Sequence, residues 1–489
     1  MNLLNKILMH FKHCFTEPSF QVFIITILGL ILRQDNLGMT SFIRALALDP
    51  SAYNSIEYFF KSASFNIRKV NETWINIACK YAPLVTHKGM IFFIIDGVKV
   101  SKEALKMVGV KKHKQDSENS GKGEYIHGHM FGSVGILIGK PGKMFCLPLS
   151  NKIHNGIKEA LNWSKDFEAW RKESHIVQMI HQTFEAAKIF ERDAVVLADC
   201  YFSKKTALKA LDTLNETVDF TLSIVTKMIM STAAFEEPPP RTGEPGRPPL
   251  TGEKVKLKEL FTTKASEFIE DEALIYGELK KVSYYVIDLL WGRMVCEKTG
   301  KTYYNKLRFV LVKYDDVKAI LMSSNLNLSG KEILEAYGFR FKIECTFREL
   351  KQVINGFGYR FWNKKMPKLN KRKKKTAPDP LESVTDENDR KNILKTLRAI
   401  EMFALCSAIA LGVLQLCSLE YSDFLDLKKL KYLRTYRGKF ASEATIVEYI
   451  RNEFNRYCFL GSELPIMQKI RIRQLPKKDR KQQRVEKAG

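Results

Sequence analysis

Residues 88–97 read KGMIFFIIDG, and residues 193–199 read DAVVLAD. Each is an apolar run of strand length, rich in β-branched or aromatic residues, and each ends on an aspartate, Asp96 or Asp199. Such runs predict strands buried on both faces. Between and after them the pattern changes. YIHGHMFGSVGILIG (125–139) and KMFCLPL (143–149) flank the turn Gly139-Lys-Pro-Gly142 and predict a hairpin. Residues 165–190 have helical periodicity. SKKTALKALDTL (203–214) predicts a helix capped by Ser203, and DFTLSIV (219–225) predicts a further strand. Strands alternating with helices point to an α/β fold with a mixed sheet. In that class, strand ends deliver side chains from the core into a cleft. Asp96 and Asp199 are therefore candidate site residues, although each taken alone also reads as a turn or helix-capping aspartate.

Outward from this region, residues 1–88 read as an N-terminal helical domain and a candidate for DNA binding. Its strongest segment is FQVFIITILGLIL (20–32), followed by SFIRALAL (41–48) and SIEYFFKSASF (55–65). Residues 89–225 form the first part of the α/β core, with 99–124 expected as a Lys-rich loop. Residues 226–328 form a Pro-rich loop and a β-rich insertion. Six prolines between 233 and 253 leave no room there for a regular element. Beyond them KVKLKELF, EALIYGELKKVSYYVIDLLWGRMVC, YYNKLRFVLVKY and KAILMSS read as strands. Residues 329–390 return to the core. They open on a capping box, Ser329 with Glu332, and end with a basic run holding eight Lys or Arg between 364 and 375. Residues 391–465 are helical, and 466–489 form a basic tail.

The whole chain of 489 residues carries 79 Lys and Arg against 54 Asp and Glu, a formal charge of +25. That surplus favours a polyanionic partner, nucleic acid above all. The nine cysteines are odd in number and never at CxxC spacing, which argues against a disulfide framework or a structural zinc site. The N-terminus does not read as a secretory signal. The run Met402–Leu416 is short for a membrane span and suits a buried helix. Gly121-x-Gly123 and Gly139-x-x-Gly142 lack the spacing of a phosphate loop, so no ATP is expected. His127 and His129 bracket Gly128 on one face of a strand and read as structural rather than metal-binding.

The third carboxylate lies in a helix. Ile343, Phe347, Leu350 and Ile354 recur at helical spacing as an apolar stripe. Arg340, Glu344, Arg348 and Lys351 form the polar face beside it, with Tyr337 seven residues before Glu344. Such a face also reads as a solvated surface held by i,i+4 pairs. Three converging carboxylates would suit Mg²⁺ or Mn²⁺. Two such ions activate a nucleophile and stabilise the leaving oxygen on phosphorus. Arg340 and Lys351 would offset the repulsion between carboxylates and a phosphodiester.

Tyr337, Arg340, Glu344 and Lys351 fit the pattern Tyr-x2-Arg-x3-Glu-x6-Lys. With it come the two strand-end aspartates, a GRPP element at Gly246–Pro249 and the lead-in SSNLNLSGKEILEAYGFRFKIE (323–344). Over roughly residues 20–430 the chain resembles the hairpin-forming branch of bacterial insertion-sequence DDE transposases. The resemblance implies an RNase H-like catalytic core in which Asp96, Asp199 and Glu344 hold Mg²⁺ or Mn²⁺, as two ions. It implies that Tyr337, Arg340 and Lys351 grip transposon-end DNA, with Arg348 beside them. It makes Trp291 the candidate for stacking on a flipped base, although a tryptophan buried in a sheet fits the same position. Phe341 keeps an aromatic where relatives often have Trp.

The expected partners are double-stranded DNA, as terminal inverted repeats and as target, and a second copy of the chain in a homodimer. The expected setting is the bacterial cytoplasm at the nucleoid, with no membrane. The expected activity is cleavage through a 3′-hydroxyl and a hairpin, then joining to target. The alternatives are an RNase H-like nuclease without strand transfer, or a non-mobile DNA-binding transposase relic.

Overall fold

A computed structural model describes the chain except residues 36–37, 116–122, 241–247, 297–298, 371–377, 423–439, 462 and 481–489, and the side chains of 459–460. Gly121, Gly246 and Arg247 of the GRPP element, residues 371–375 of the basic run and residues 481–487 of the tail lie outside the described residues. The protein is mixed α/β, with parallel and antiparallel strands and helices at both ends of the chain.

It opens with α1 (Asn2–Met9), α2 (Glu17–Leu32), α3 (Met39–Ala45), α4 (Ala52–Lys61) and α5 (Ile67–Tyr81). Then come β1 (Thr86–His87), β2 (Met90–Ser101), β3 (Lys111–Lys114), β4 (Tyr125–Lys140), β5 (Lys143–Ile153), α6 (Lys158–Asn162) and α7 (His175–Phe190). The middle holds β6 (Ala194–Ala198), α8 (Lys205–Asn215), β7 (Leu222–Met228), β8 (Ala233–Phe235), β9 (Lys254–Lys256), α9 (Leu257–Thr263), β10 (Ile269–Ile275), β11 (Glu278–Val295), β12 (Thr302–Tyr314) and β13 (Val317–Ser323). The chain closes with α10 (Gly330–Gly338), α11 (Lys342–Gln352), α12 (Glu387–Tyr421), α13 (Glu443–Leu460) and α14 (Pro465–Gln474).

These elements pack as two compact units. One comprises Val85–Asp96 and Ile176–Glu344. The other comprises Met1–Leu84, Gly97–His175 and Cys345–Gly489. In the first, β2 pairs in parallel with β6 and β6 with β7, the latter two joined through α8 as a βαβ unit. β7 then meets the antiparallel series β13, β12, β11, and β11 also pairs with β10 and with β8. In the second unit, β4 pairs antiparallel with β3 and β5, and the irregularity at Val134/Gly135 bends the long β4–β5 hairpin.

The second unit is organised on α12, a 35-residue helix whose residues from Ala399 to Leu419 are all buried. It packs against β5, α2, α4 and α13. Each fully buried Leu, Ile or Phe contributes about 1.5–3 kcal/mol. Ser407 donates to the Phe403 carbonyl at 2.8 Å, and Gln415 Nε2 donates to Glu443 at 3.2 Å while its buried Oε1 finds no partner among the described residues. Gly412 is required by packing, because a Cβ there would stand 2.3 Å from the Trp74 ring, and the Trp74 indole donates to the Pro148 carbonyl at 2.8 Å. By length and composition α12 could cross a membrane, but its apolar window is wholly buried here.

Several local expectations are corrected. Residues 99–124 hold the end of β2 and the short strand β3, where a loop was expected. Ala233–Phe235 forms a strand at the start of the Pro-rich segment, ahead of Pro238, the first residue there that lacks an N–H donor. KVKLKELF is a strand only over its first three residues. Leu257, Leu260 and Phe261 stand at i, i+3 and i+4, and that spacing makes a buried helical stripe. The tail opens as a helix, because Ile466, Met467 and Ile470 bury a stripe among its charges.

Candidate active site

The site is built in the unit formed by Val85–Asp96 and Ile176–Glu344. Met90–Ile95 are buried, and Asp96 is the first residue of β2 to reach partial exposure. β6 is buried throughout, and Asp199 follows its last residue. The parallel register pairs Ile94 with Leu197. Asp96 stands two residues beyond Ile94, inside β2, and Asp199 two residues beyond Leu197, one past the end of β6. Neighbouring strands lie about 4.8 Å apart. Asp199 is held by its surroundings. Its carboxylate accepts from the Tyr201 N–H at 3.0 Å, which opens a 3₁₀ turn over Cys200–Phe202. Its carbonyl accepts from the Thr226 hydroxyl at 2.5 Å.

Glu344 arrives through α10. Ser329 and Glu332 form the reciprocal capping box that the sequence predicts, and His87 and Lys88 also bind Glu332, at 2.6 and 2.9 Å. Burial would raise the Glu332 carboxyl, but Lys88, Ser329 and His87 outweigh it and bring it down to about 2. α10 ends at Gly338, a single 3₁₀ turn spans Phe339–Phe341, and α11 begins. Arg340 lies in that turn. Its Nη1 stands 3.5 Å from Asp96 Oδ2, and its Nη2 donates to Glu344 Oε1. The guanidinium is 17% exposed. Burial alone would depress its basicity, but Glu344, Tyr337 and Asp96 outweigh that and hold it more firmly protonated than usual.

Tyr337 is mostly buried. Burial, together with Tyr276, Asp199 and Cys200 and against Arg340, raises its phenol well above the ordinary value. It therefore stays a neutral donor close to Asp199.

No protein-family model and no curated protein matches this chain.

The geometry thus draws Asp96 and Glu344 onto one guanidinium and puts Asp199 directly after the parallel strand that pairs with β2. The sequence reading gives Arg340 to DNA; in the structure it is engaged by two carboxylates. Lys351 is exposed on α11, about 10.5 Å along the helix axis from Glu344. Arg348 is exposed and pairs with Glu349 at 2.8 Å. Trp291 is half-buried in the β11–β12 ladder opposite Asn305, beside a register shift, as a sheet tryptophan. His129 is fully buried. Its Nε2 donates to the Val108 carbonyl at 2.8 Å and its Nδ1 accepts from the Tyr359 hydroxyl, a structural role as the sequence suggests.

Among the described residues, no three His, Cys, Asp or Glu side chains already surround a common point. The donor chemistry nevertheless fits a hard divalent cation. Two carboxylates share one guanidinium, and the candidate donors, Asp199 included, are all oxygens. Asp96, Asp199 and Glu344 are the residues that would hold such an ion. Tyr201 and Thr226, which fix Asp199, escaped the sequence reading, because neither carries a pattern distinguishing it from other turn and strand residues.

Proposed function

We propose that this chain is a DDE transposase with an RNase H-like core, which binds transposon-end DNA, cuts it and joins it to target DNA. The observation that carries the reading is the bridging of Asp96 and Glu344 by Arg340, with Asp199 directly after the parallel strand that pairs with β2. A mixed arrangement of parallel and antiparallel strands supports the same core. The basic surplus of the chain supports a DNA partner.

Divalent ions held by the three carboxylates would activate the attacking hydroxyl and stabilise the leaving oxygen. The residues of the chain do the rest. Arg340 keeps its charge and exchanges carboxylate oxygens for phosphate oxygens when a DNA strand arrives, since guanidinium matches either in the same bidentate geometry. Tyr337, held protonated, donates a hydrogen bond toward the same phosphate. Lys351 adds a phosphate contact further along the strand. One phosphodiester is exchanged for another, so the reaction needs no ATP.

The test uses the full chain, Mg²⁺ and end-labelled duplex carrying the DNA that flanks its gene. Hairpins and joined molecules are expected. Glu344→Ala is expected to bind the same duplex and leave it uncut. Nicks without joining would replace this reading by that of a nuclease, and binding without any cutting by that of a relic.

A further inference from the structure

We propose that the segment Phe357–Leu369 is a binding strip for single-stranded DNA, on which Trp362 is the platform for an unpaired base. This rests on the reading of the chain as a DNA-processing protein, and it concerns residues outside the carboxylate cluster. Along the strip, Tyr359 and Phe361 are buried while Arg360, Trp362 and Lys364 are exposed. Arg360 and Trp362 alternate with the two buried rings, which puts them on one face about 6.6 Å apart, and Lys364 follows in a turn. Trp362 is 61% exposed, although an indole ordinarily buries its apolar body.

The strip is held rigid from beneath. Lys102 donates to the carbonyls of Phe357 and Tyr359 at 2.6 and 3.0 Å. The Asn363 N–H donates to the Lys106 carbonyl at 2.9 Å, and the Leu369 N–H to the Leu105 carbonyl at 2.8 Å. The rings of Tyr359 and Phe361 lie within 7° of parallel. Nothing in this anchoring uses the Trp362 ring, so its outward presentation does not follow from packing.

The strip itself carries four cations and no carboxylate. Asp389 takes Lys365 and Asp379 takes Lys111. Among the described residues no carboxylate pairs with Arg360, Lys364 or Lys368, and the first two stand two residues to either side of Trp362 in sequence. The positive surface continues onto β3, where Lys112 lines a cavity of about 300 Å³ that Met366 and Leu369 also line. An exposed aromatic between unpaired cations is the chemistry that holds single strands. Bases stack on the ring while phosphates meet the cations, and every base has a face that can stack. A duplex keeps its bases stacked on one another and would leave the indole unused.

The experiment measures anisotropy of a fluorescein-labelled 20-nucleotide oligo-dT with the full chain in EDTA, beside a duplex of equal length. Trp362→Ala is expected to weaken oligo-dT binding about fivefold or more and to leave duplex binding within twofold. Trp362→Phe is expected to retain most of the affinity. The double variant Arg360→Gln/Lys364→Gln is expected to reduce the salt slope for oligo-dT by about 1.4, or about 0.7 per phosphate contact. The proposal is overturned if wild type fails to bind oligo-dT, if Trp362→Ala weakens it less than fivefold, or if duplex binding falls equally. Because no cutting is read, this result is independent of whether the carboxylates cleave DNA.

Discussion

Arg340 lies 3.5 Å from Asp96, and the same guanidinium hydrogen-bonds Glu344, so a single cation joins a carboxylate in mid-strand to one on a helix. Without that cation the two carboxylates would face each other across a partly buried gap, where like charges disfavour one another strongly. Arg340→Gln removes the charge and keeps much of the volume. The expected outcome is a larger Mn²⁺-induced rise in Tm than in wild type, because the carboxylates then have only metal to neutralise them. DNA cleavage is expected to fall by about 100-fold or more, as when a charge-stabilising donor is lost. Calorimetry with and without Mn²⁺ checks the first. An unchanged metal response together with unchanged cleavage would remove Arg340 from the site.

Glu332 ties the start of α10 to His87 and Lys88, and α10 delivers Tyr337 and Arg340. Its carboxyl is depressed to about 2, so it favours the folded state while ionised. That contribution is complete above the unfolded value near 4.5 and disappears as pH falls toward 2. Glu332→Gln is expected to cost about 1 kcal/mol at pH 7, less than the shift alone implies because water screens the group. The difference from wild type should shrink below pH 4. A deficit that stays constant down to pH 3 would show that the ionised carboxylate is not what stabilises.

His129 and His175 are buried as neutral rings. Burial, with Lys102 and His113 nearby and against the Val108 hydrogen bond, lowers His129 to about 3. Burial, with Lys99 and His113, lowers His175 to about 4. Both values lie below the unfolded one, so the unfolded chain takes protons first as pH drops, and stability is lost from about pH 6.5 downward. The loss between pH 6.5 and 5 is expected to be on the order of 3 kcal/mol, read as a falling urea midpoint. His175→Gln, which cannot take up the proton, should flatten that slope. An equal slope in the variant would assign the loss elsewhere.

Gly97 follows Asp96 directly. A Cβ there would stand 2.4 Å from the Met130 methyl and 3.0 Å from His175 Nε2. The methyl can turn away, but the buried imidazole has little room to do so. Gly97→Ala is therefore expected to destabilise the protein by about 1–3 kcal/mol, as overpacking does. A thermal melt reads this directly, and a variant as stable as wild type would mean that His175 yields.

The strands that carry Asp96 and Asp199 are legible because each is a continuous apolar run, and a run of that length has few structural alternatives. The helix around Glu344 is equally legible, and its stripe of Ile343, Phe347, Leu350 and Ile354 is buried in the structure. The parallel pairing that brings β2 beside β6 is not legible. It pairs segments about a hundred residues apart, and no local pattern encodes which residue of β2 faces which of β6. The engagement of Arg340 by Asp96 is hidden for the same reason. Helical spacing reveals its neighbour at Glu344 but not the strand that approaches from elsewhere in the chain. The short helices Leu257–Thr263 and Pro465–Gln474 are hard to read because charged residues interrupt the three apolar residues that each of them buries.

The chain passes from one compact unit to the other directly after Asp96 and again directly after Glu344. Neither unit is a contiguous stretch of sequence. No single crossover between genes could therefore transplant the carboxylate-bearing unit, and no simple truncation could yield it alone. A recombination point placed anywhere from 85 to 344 would divide residues that must be inherited together, so the protein is expected to diversify by substitution and loop insertion rather than by exchange of parts.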